Sequence, residues 1–338
     1  LEWPDEDVRL RKPSALAAYA DKLSDDVDYY AFCQYVFDKQ WKSFRQKLQK
    51  AGVKLIGDIP IYVAYDSADV WAHPEIFRLD KNMRPKEVAG VPPDYFSADG
   101  QLWGNPLYDW KKQQADGFLW WHHRLLHQLQ FFDKIRIDHF RAFESYYAVP
   151  YGATTAKIGR WVKGVGTKIF DGLDLDDRII AEDLGIITDK VRRLVKRTGF
   201  PGMKVFQFAF DGKSDNEHLP ENVKYNTVYY TGTHDNDTLK GWYDAQGDGT
   251  KEYVKKTLGA TDENVFDKTF KRVMRSRAKF VIVPMQDYLL QGSEARMNTP
   301  GTNDGNWKYV LPKNYAKVKN RIRKYVRNRC SDSRARNK

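Results

Sequence analysis

Two periodicities alternate along this chain. Residues 28–51 carry Phe32, Tyr35, Val36, Trp41, Phe44 and Leu48 at helical spacing, and Gly52 follows the last turn. Residues 53–59 then give a short apolar run, Val-Lys-Leu-Ile-Gly-Asp-Ile, closed by Pro60. A run of that length beside a helix reads as a buried strand. Similar runs recur at 133–137, 178–181, 203–209, 227–231 and 280–283. Amphipathic stretches lie between most of them, over 117–130 (Leu119, Trp120, Leu125, Leu126, Leu129), 188–198 (Val191, Leu194, Val195) and 263–277 (Val265, Phe266, Phe270, Val273). Six strands alternating with helices predict an α/β fold with a mostly parallel sheet and helices outside it.

Residues 64–116 break this rhythm. The segment is rich in Pro, Gly and Asp, and aromatics crowd into and around it: Tyr62, Tyr65, Trp71, Tyr95, Phe96, Trp103 and Tyr108. Its Pro and Gly punctuation excludes a long helix. A long stretch leaving a strand end predicts a lid or an inserted subdomain over a site. Trp103, set among Gly, Gln and Asn, is the aromatic best placed to meet a ligand.

Composition alters the picture at a few points. With 338 residues and 41% hydrophobic content, the chain can bury the core of one barrel or of two smaller domains. No run of about 18 apolar residues occurs, so no membrane span is expected. The first residues, Leu1-Glu2-Trp3-Pro4-Asp5, carry no secretory pattern. Cys33 and Cys330 are too few and too far apart for a disulfide framework. The expected setting is cytoplasmic, or a plastid if the source is a plant or alga. Of the net charge of +11, ten belong to residues 313–338, which leaves +1 for the rest. The basicity therefore belongs to a tail, expected to be solvated and disordered, and no nucleic-acid-binding face is expected on the body.

Three acidic residues stand where predicted strands end. They are Asp138 in Arg136-Ile137-Asp138-His139-Phe140, Glu182 in Ile179-Ile180-Ala181-Glu182-Asp183, and Asp235 in Gly232-Thr233-His234-Asp235-Asn236. In parallel β/α barrels catalytic groups sit at strand ends, and paired carboxyl groups are the usual equipment for cleaving a glycosidic bond. Arg136 lies two residues before Asp138 and leaves a strand on the same face, so it would keep that carboxylate ionised. Glu182 follows Ile179-Ile180-Ala181, a setting apolar enough to raise its pKa and suit a general acid. Asp235, between His234 and Asn236, suits hydroxyl binding and support of positive charge in the transition state. Each acid also has a plainer reading as a helix cap. Asp58, inside an apolar run at a strand end, is expected to be a buried carboxylate in need of partners.

Other chemistry is not expected. His122, His123 and His127 share a predicted helix with Trp120 and Trp121 and without a carboxylate, which favours packing over a metal site. Lys163-Gly164-Val165-Gly166 lacks the phosphate-loop and dinucleotide patterns, and no Gly-x-Ser-x-Gly element occurs.

Together these residues resemble the 4-α-glucanotransferases of glycoside hydrolase family 77, in the α-amylase clan. The resemblance rests on Gly57-Asp58-Ile59-Pro60-Ile61-Tyr62-Val63, Asp66-Ser67-Ala68-Asp69-Val70-Trp71 and residues 90–108. It continues through Arg136-Ile137-Asp138-His139-Phe140-Arg141, Ala181-Glu182-Asp183-Leu184-Gly185, Pro201-Gly202-Met203, Gln207-Phe208-Ala209-Phe210-Asp211, Gly232-Thr233-His234-Asp235-Asn236 and Gly292-Ser293-Glu294-Ala295-Arg296-Met297-Asn298-Thr299-Pro300-Gly301. The resemblance implies a (β/α)8 barrel with strands 3–8 present, the two N-terminal strands missing, and a large insert after strand 3. Residues 1–63 and 117–312 would form the partial barrel, 64–116 the insert or lid, and 313–338 the tail. It implies Asp138 as nucleophile, Glu182 as acid/base and Asp235 as transition-state stabiliser. Substrate contacts would come from Asp58, Tyr62, Gln101, Trp103, Asn105, Arg136, His139, Asp211, His234 and Asn236. No cofactor or metal is implied. The implied partners are α-1,4-glucans and maltooligosaccharides. The chain departs from the family pattern at Ala142, where a glycine is usual, and in its tail. An α-amylase-like hydrolase and a catalytically impaired glucan-binding protein stay open as alternatives.

Overall fold

The computed structural model describes residues 4–93, 97–302 and 304–336. Tyr95, Phe96 and the first three residues lie outside these ranges. Ten strands occur among the described residues, in chain order β1 (Ile56–Ile59), β2 (Glu87–Val91), β3 (Gln101–Pro106), β4 (Lys134–Ile137), β5 (Ser145–Pro150), β6 (Arg160–Lys163), β7 (Ile179–Ala181), β8 (Gly202–Val205), β9 (Thr227–Tyr230) and β10 (Phe280–Ile282). The chain divides into two compact units, Leu1–Phe200 and Pro201–Lys338. This division differs from the barrel-plus-insert boundaries expected from the sequence.

All six anticipated strands are present. Three of them form a parallel sheet in the first unit, in the order β1-β4-β7, and three form one in the second, in the order β10-β9-β8. β4 is the central strand of its sheet, and Ile135 and Ile137 are fully buried, as are Ile179, Ile180 and Ala181 of β7. Burial on both faces is why β7 reads as an uninterrupted apolar run. β1 lies at the sheet edge and alternates between exposed and buried residues, with Gly57 and Ile59 inward. Asp58 therefore lies on the open face, against the expectation that an acid in this apolar run would be buried.

The first unit also holds an antiparallel sheet, ordered β3-β2-β5-β6. The anticipated insert at 64–116 supplies only β2 and β3, while β5 and β6 come from residues beyond β4. The region expected to be a lid is thus partly a strand pair, with a bulge between Val88 and Gly90. At Gly90 a Cβ would approach the Gln101 carbonyl oxygen to 2.5 Å. The glycine that suggested a loop is what lets two backbones come this close. Ala142, where a glycine was expected, is fully buried in the one-turn helix Phe140–Phe143.

The helix Ser24–Lys50 forms as its periodicity predicts, but it buries none of its residues. Phe37 and Trp41 pack on Phe131, Trp41 also meets Phe132, and its indole donates to the Phe131 carbonyl at 3.1 Å. Tyr29, Tyr30, Phe32 and Tyr35 are each at least 60% exposed. No described helix is long and apolar enough to cross a membrane.

In the second unit the helices Leu239–Asp244, Asp248–Leu258 and Val265–Met274 contribute to a core that includes Tyr229, Phe270, Val273, Tyr288 and Tyr325. Tyr325 belongs to the basic tail. Residues expected to be disordered form the helix Lys319–Arg336. The reason is a hidden apolar stripe: Val318, Ile322 and Tyr325 recur at helical spacing, and all three join that core. The Tyr325 hydroxyl donates to Asp267 at 2.5 Å, and Arg329 donates to the Met274 carbonyl at 2.9 Å.

Candidate active site

Register places the first group of candidates. Asp58 of β1 stands beside Arg136 of β4, and Ile137 of β4 beside Ala181 of β7. The residues just past these pairs, Asp138 and Glu182, therefore leave adjacent strand ends. Their amides continue the ladder, Asp138 N–H to Ile59 O at 2.9 Å and Glu182 N–H to Ile137 O at 3.1 Å. Neighbouring strands lie about 4.8 Å apart, so the two acids start from one small region.

Arg136 links the acids of β1 and β4. Its guanidinium is 2.5 Å from Asp58 and 2.6 Å from Asp138. The arginine is 8% exposed. Burial works against its charge, but Asp138, Asp58 and Glu182 outweigh burial and hold its pKa above the ordinary value. The Arg136 Nε atom is buried without a hydrogen-bond partner.

Glu182 is held differently. It is 8% exposed. One carboxylate oxygen accepts from the His139 amide at 2.8 Å and the other from the Leu184 amide at 2.7 Å. Burial and the nearby Asp138 charge raise its pKa, against the opposing pull of Arg136 and the two amides, to about 7. His139 has a left-handed backbone, with φ 51°. Burial of its ring, with the Arg141 charge beside it, lowers its pKa to about 3 and leaves a neutral imidazole.

Aromatic and amide groups from the antiparallel sheet approach this pair. Trp103 of β3 sets its ring edge-on to His139, centroids 4.7 Å apart, and its indole donates to Gln101 at 3.1 Å. Tyr62 lies 6.5 Å from Trp103 and stacks on Tyr108. Asn105 donates to the Val63 carbonyl at 2.9 Å, which ties β3 to the loop after β1. Asp58, Tyr62, Gln101, Trp103, Asn105, Arg136, Asp138, His139 and Glu182 thus all belong to the first unit, linked by these contacts.

The second unit carries Asp211, His234, Asp235 and Asn236. Asn298 donates to the Asp235 carboxylate at 2.6 Å, and His234 lies 3.4 Å from its other oxygen. Asn236 accepts from both the amide and the hydroxyl of Thr233 at 2.9 Å, so its side chain shapes the loop. Asp211 is exposed and takes up the Lys213 amide at 3.0 Å. Desolvation is outweighed by hydrogen bonds from Asn216 and Lys213, and its pKa lies below the ordinary value.

The helix-cap readings do not apply to these acids. Thr188 caps the helix Asp189–Thr198, and Thr238 caps Leu239–Asp244. On the Leu119–Phe131 helix, His122 contacts the Ile169 carbonyl at 3.0 Å, His127 meets Phe131 edge-on, and His123 is exposed.

Three residues that sequence reasoning left without a role hold these candidates, each within its own unit. Arg296 donates to the backbone carbonyls of Asp235 at 2.8 Å and Asn298 at 2.9 Å. With Asn298 it clamps the Asp235 loop. Their motif was legible, but nothing in its spacing indicated a target 61 positions away. Arg141 stacks over Trp161, at 4.0 Å from the ring centroid, and donates to the Ile186 carbonyl at 2.6 Å.

Two carboxyl groups on paired strands, one tied to an arginine and one buried and partly protonated near neutral pH, are the equipment of glycoside-cleaving and glycosyl-transferring enzymes. Comparison with known proteins narrows the class. The family model described as 4-alpha-glucanotransferase matches residues 1–314. The 4-alpha-glucanotransferase of Aquifex aeolicus is 45% identical over 330 residues, 96% of this chain and 68% of the relative. That of Clostridium butyricum is 46% identical over 311 residues, covering 90% and 64%. A solved amylomaltase from Streptococcus agalactiae, in complex with acarbose, matches with a TM-score of 0.92 at 36% identity, over 96% of this chain and 67% of that one. The chain belongs to the 4-α-glucanotransferase family. It spans roughly two thirds of the length of these relatives.

Proposed function

We propose that this chain carries the reaction centre of a retaining 4-α-glucanotransferase acting on α-1,4-glucans and maltooligosaccharides. The relatives' names supply the transferred group and linkage. One observation carries the chemistry: Glu182 titrates near 7 while its strand neighbour Asp138 is bound to Arg136. In the proposed first step an Asp138 oxygen attacks the anomeric carbon. The bond to the leaving glucan oxygen breaks, and Glu182 gives that oxygen its proton. The product is a glycosyl ester on Asp138. In the second step an acceptor's 4-hydroxyl attacks the same carbon, Glu182 takes its proton, and the Asp138 carboxylate leaves. Asp235 is assigned the support of positive charge in both transition states. Asp58, Tyr62, Gln101, Trp103, Asn105, Arg136, His139, Asp211, His234 and Asn236 are assigned to sugar binding. Exclusion of water by the aromatic wall around Trp103 would favour transfer over hydrolysis.

Incubation with pure maltotriose tests the reading. Transfer gives longer oligomers together with glucose, whereas hydrolysis gives only shorter products. A slow fluorinated glycosyl donor should leave a covalent sugar on Asp138, read by peptide mass spectrometry. An adduct on any other residue rejects the assignment. Fractionation of source cells tests the cytoplasmic or plastid setting that accompanies this reading.

A further inference from the structure

Arg141 has features that the reaction scheme above does not use. It is 5% exposed. It lies face-on over Trp161 of β6, donates to Ile186 O at 2.6 Å, and reaches the Ser145 hydroxyl at 3.3 Å. The Ser145 hydroxyl in turn donates to Glu144 at 2.5 Å. The Arg141 Nε atom is buried without a hydrogen-bond partner. Burying a guanidinium is costly, and a fold needing only to fill this space would do better with an apolar side chain.

The acceptor does not explain the arrangement either. Ile186 is 47% exposed, so the turn that carries it lies at the surface, within reach of water. What the bond does is fix the turn. The Leu184 amide, inside that turn, bonds one oxygen of Glu182, and the His139 amide, two residues before Arg141, bonds the other. The Phe140 amide also donates to the Glu182 carbonyl at 3.1 Å. Arg141 thus joins the turn after β4, the turn after β7, and the antiparallel sheet through Trp161.

We infer that Arg141 is a positioning residue for the Glu182 carboxyl: it pins the 183–186 turn so that Glu182 stays shielded from water and aligned on its two amide donors. The inference rests on the proposed role of Glu182 as acid/base. The groups facing Glu182 are Asp138, Arg136, His139 and Arg141 itself. A cation acting only through its charge would lower the carboxyl's pKa, so its loss would raise it. A clasp that keeps water out acts in the opposite direction.

The test uses the full chain with Arg141→Met, Arg141→Lys and Trp161→Ala, and two readouts that need no turnover. Hydrogen exchange of the 183–186 amides should quicken about tenfold in Arg141→Met, with β4 and β7 amides unchanged. Trp161→Ala, which keeps the hydrogen bonds, and Arg141→Lys, which keeps the charge, should lie between it and wild type. A carbon-13 titration of Glu182, assigned with Glu182→Gln, should fall by about one pH unit in Arg141→Met as water enters. Unchanged exchange, or a Glu182 titration that moves upward, overturns the inference. If Arg141→Met does not fold, the other two variants carry the same test. Full maltotriose transfer by Glu182→Gln would instead sink the acid/base role, so the two failures are distinguishable.

Discussion

The backbone amide of His139 donates to the Glu182 carboxylate at 2.8 Å. His139 holds this orientation through a left-handed backbone, φ 51° and ψ 44°, which a non-glycine residue adopts at some energetic cost. The turn after one acid thereby orients the other. The donor also stabilises the ionised form, so the rise of Glu182 to about 7 occurs in spite of it, through burial and Asp138.

The proposed mechanism requires Glu182 protonated in the first step. With a pKa of about 7, kcat/KM should fall above that pH along a single ionisation. Glu182→Gln should lower the rate by about 10²–10⁴ and abolish this alkaline limb. A rate profile flat between pH 6 and 9 in the wild type would count against the assignment.

The same shift has a stability consequence. Glu182 titrates near 7 in the folded chain, above the ordinary 4.5. A carboxyl raised by folding contributes stability below about pH 4.5, and that contribution is lost as pH rises through about 7. The loss reaches roughly 3 kcal/mol, at about 1.4 kcal/mol per pH unit. Glu182→Gln should therefore raise Tm at pH 8 and leave it nearly unchanged at pH 4. Equal differences at both values would refute the linkage.

Arg136 bridges two carboxylates that are each about 40% exposed at the side chain. A lysine supplies one point charge in place of a planar fork. Arg136→Lys should cut transfer by about 10- to 100-fold. Lysine keeps the charge and water reaches both carboxylates, so stability should suffer less than activity. Steady-state kinetics and thermal melts on one preparation separate the two effects. A large drop in Tm with activity preserved would reverse the interpretation.

Asn298 donates to Asp235 at 2.6 Å. Asn298→Ala removes that bond, and Asn298→Asp sets a like charge against the same oxygen. If Asp235 must be held for the transition state, kcat should fall roughly tenfold or more in the alanine variant, further in the aspartate variant, with KM little changed. Loss expressed wholly in KM would instead place Asn298 in ground-state binding.

Much of this arrangement is written in local pattern. The apolar runs of β4 and β7 mark buried strands, and their ends present Asp138 and Glu182. What escaped the pattern depends on distance in sequence. β5 pairs with β2 across dozens of residues and brings β6 with it, and the Gly and Pro of 90–106 obscured the β2–β3 pair. Tyr325 was masked by its basic neighbours, though Val318 and Ile322 complete a helical stripe with it. Asp58 was expected to be buried because its run is apolar, but an edge strand has an open face. Arg296 and Arg141 act on backbone carbonyls, which have no side-chain signature. Their targets become visible only once the chain is folded.

Tyr29, Tyr30, Phe32 and Tyr35 of the helix Ser24–Lys50 remain wet in the folded chain. Apolar surface already hydrated before unfolding adds nothing to the heat-capacity increment on unfolding, which for fully packed domains is about 12–15 cal/mol/K per residue. Calorimetry of this chain should therefore give a smaller increment per residue. Its free energy of unfolding will vary over temperature along a flatter arc, with cold and heat denaturation set further apart for a given maximum.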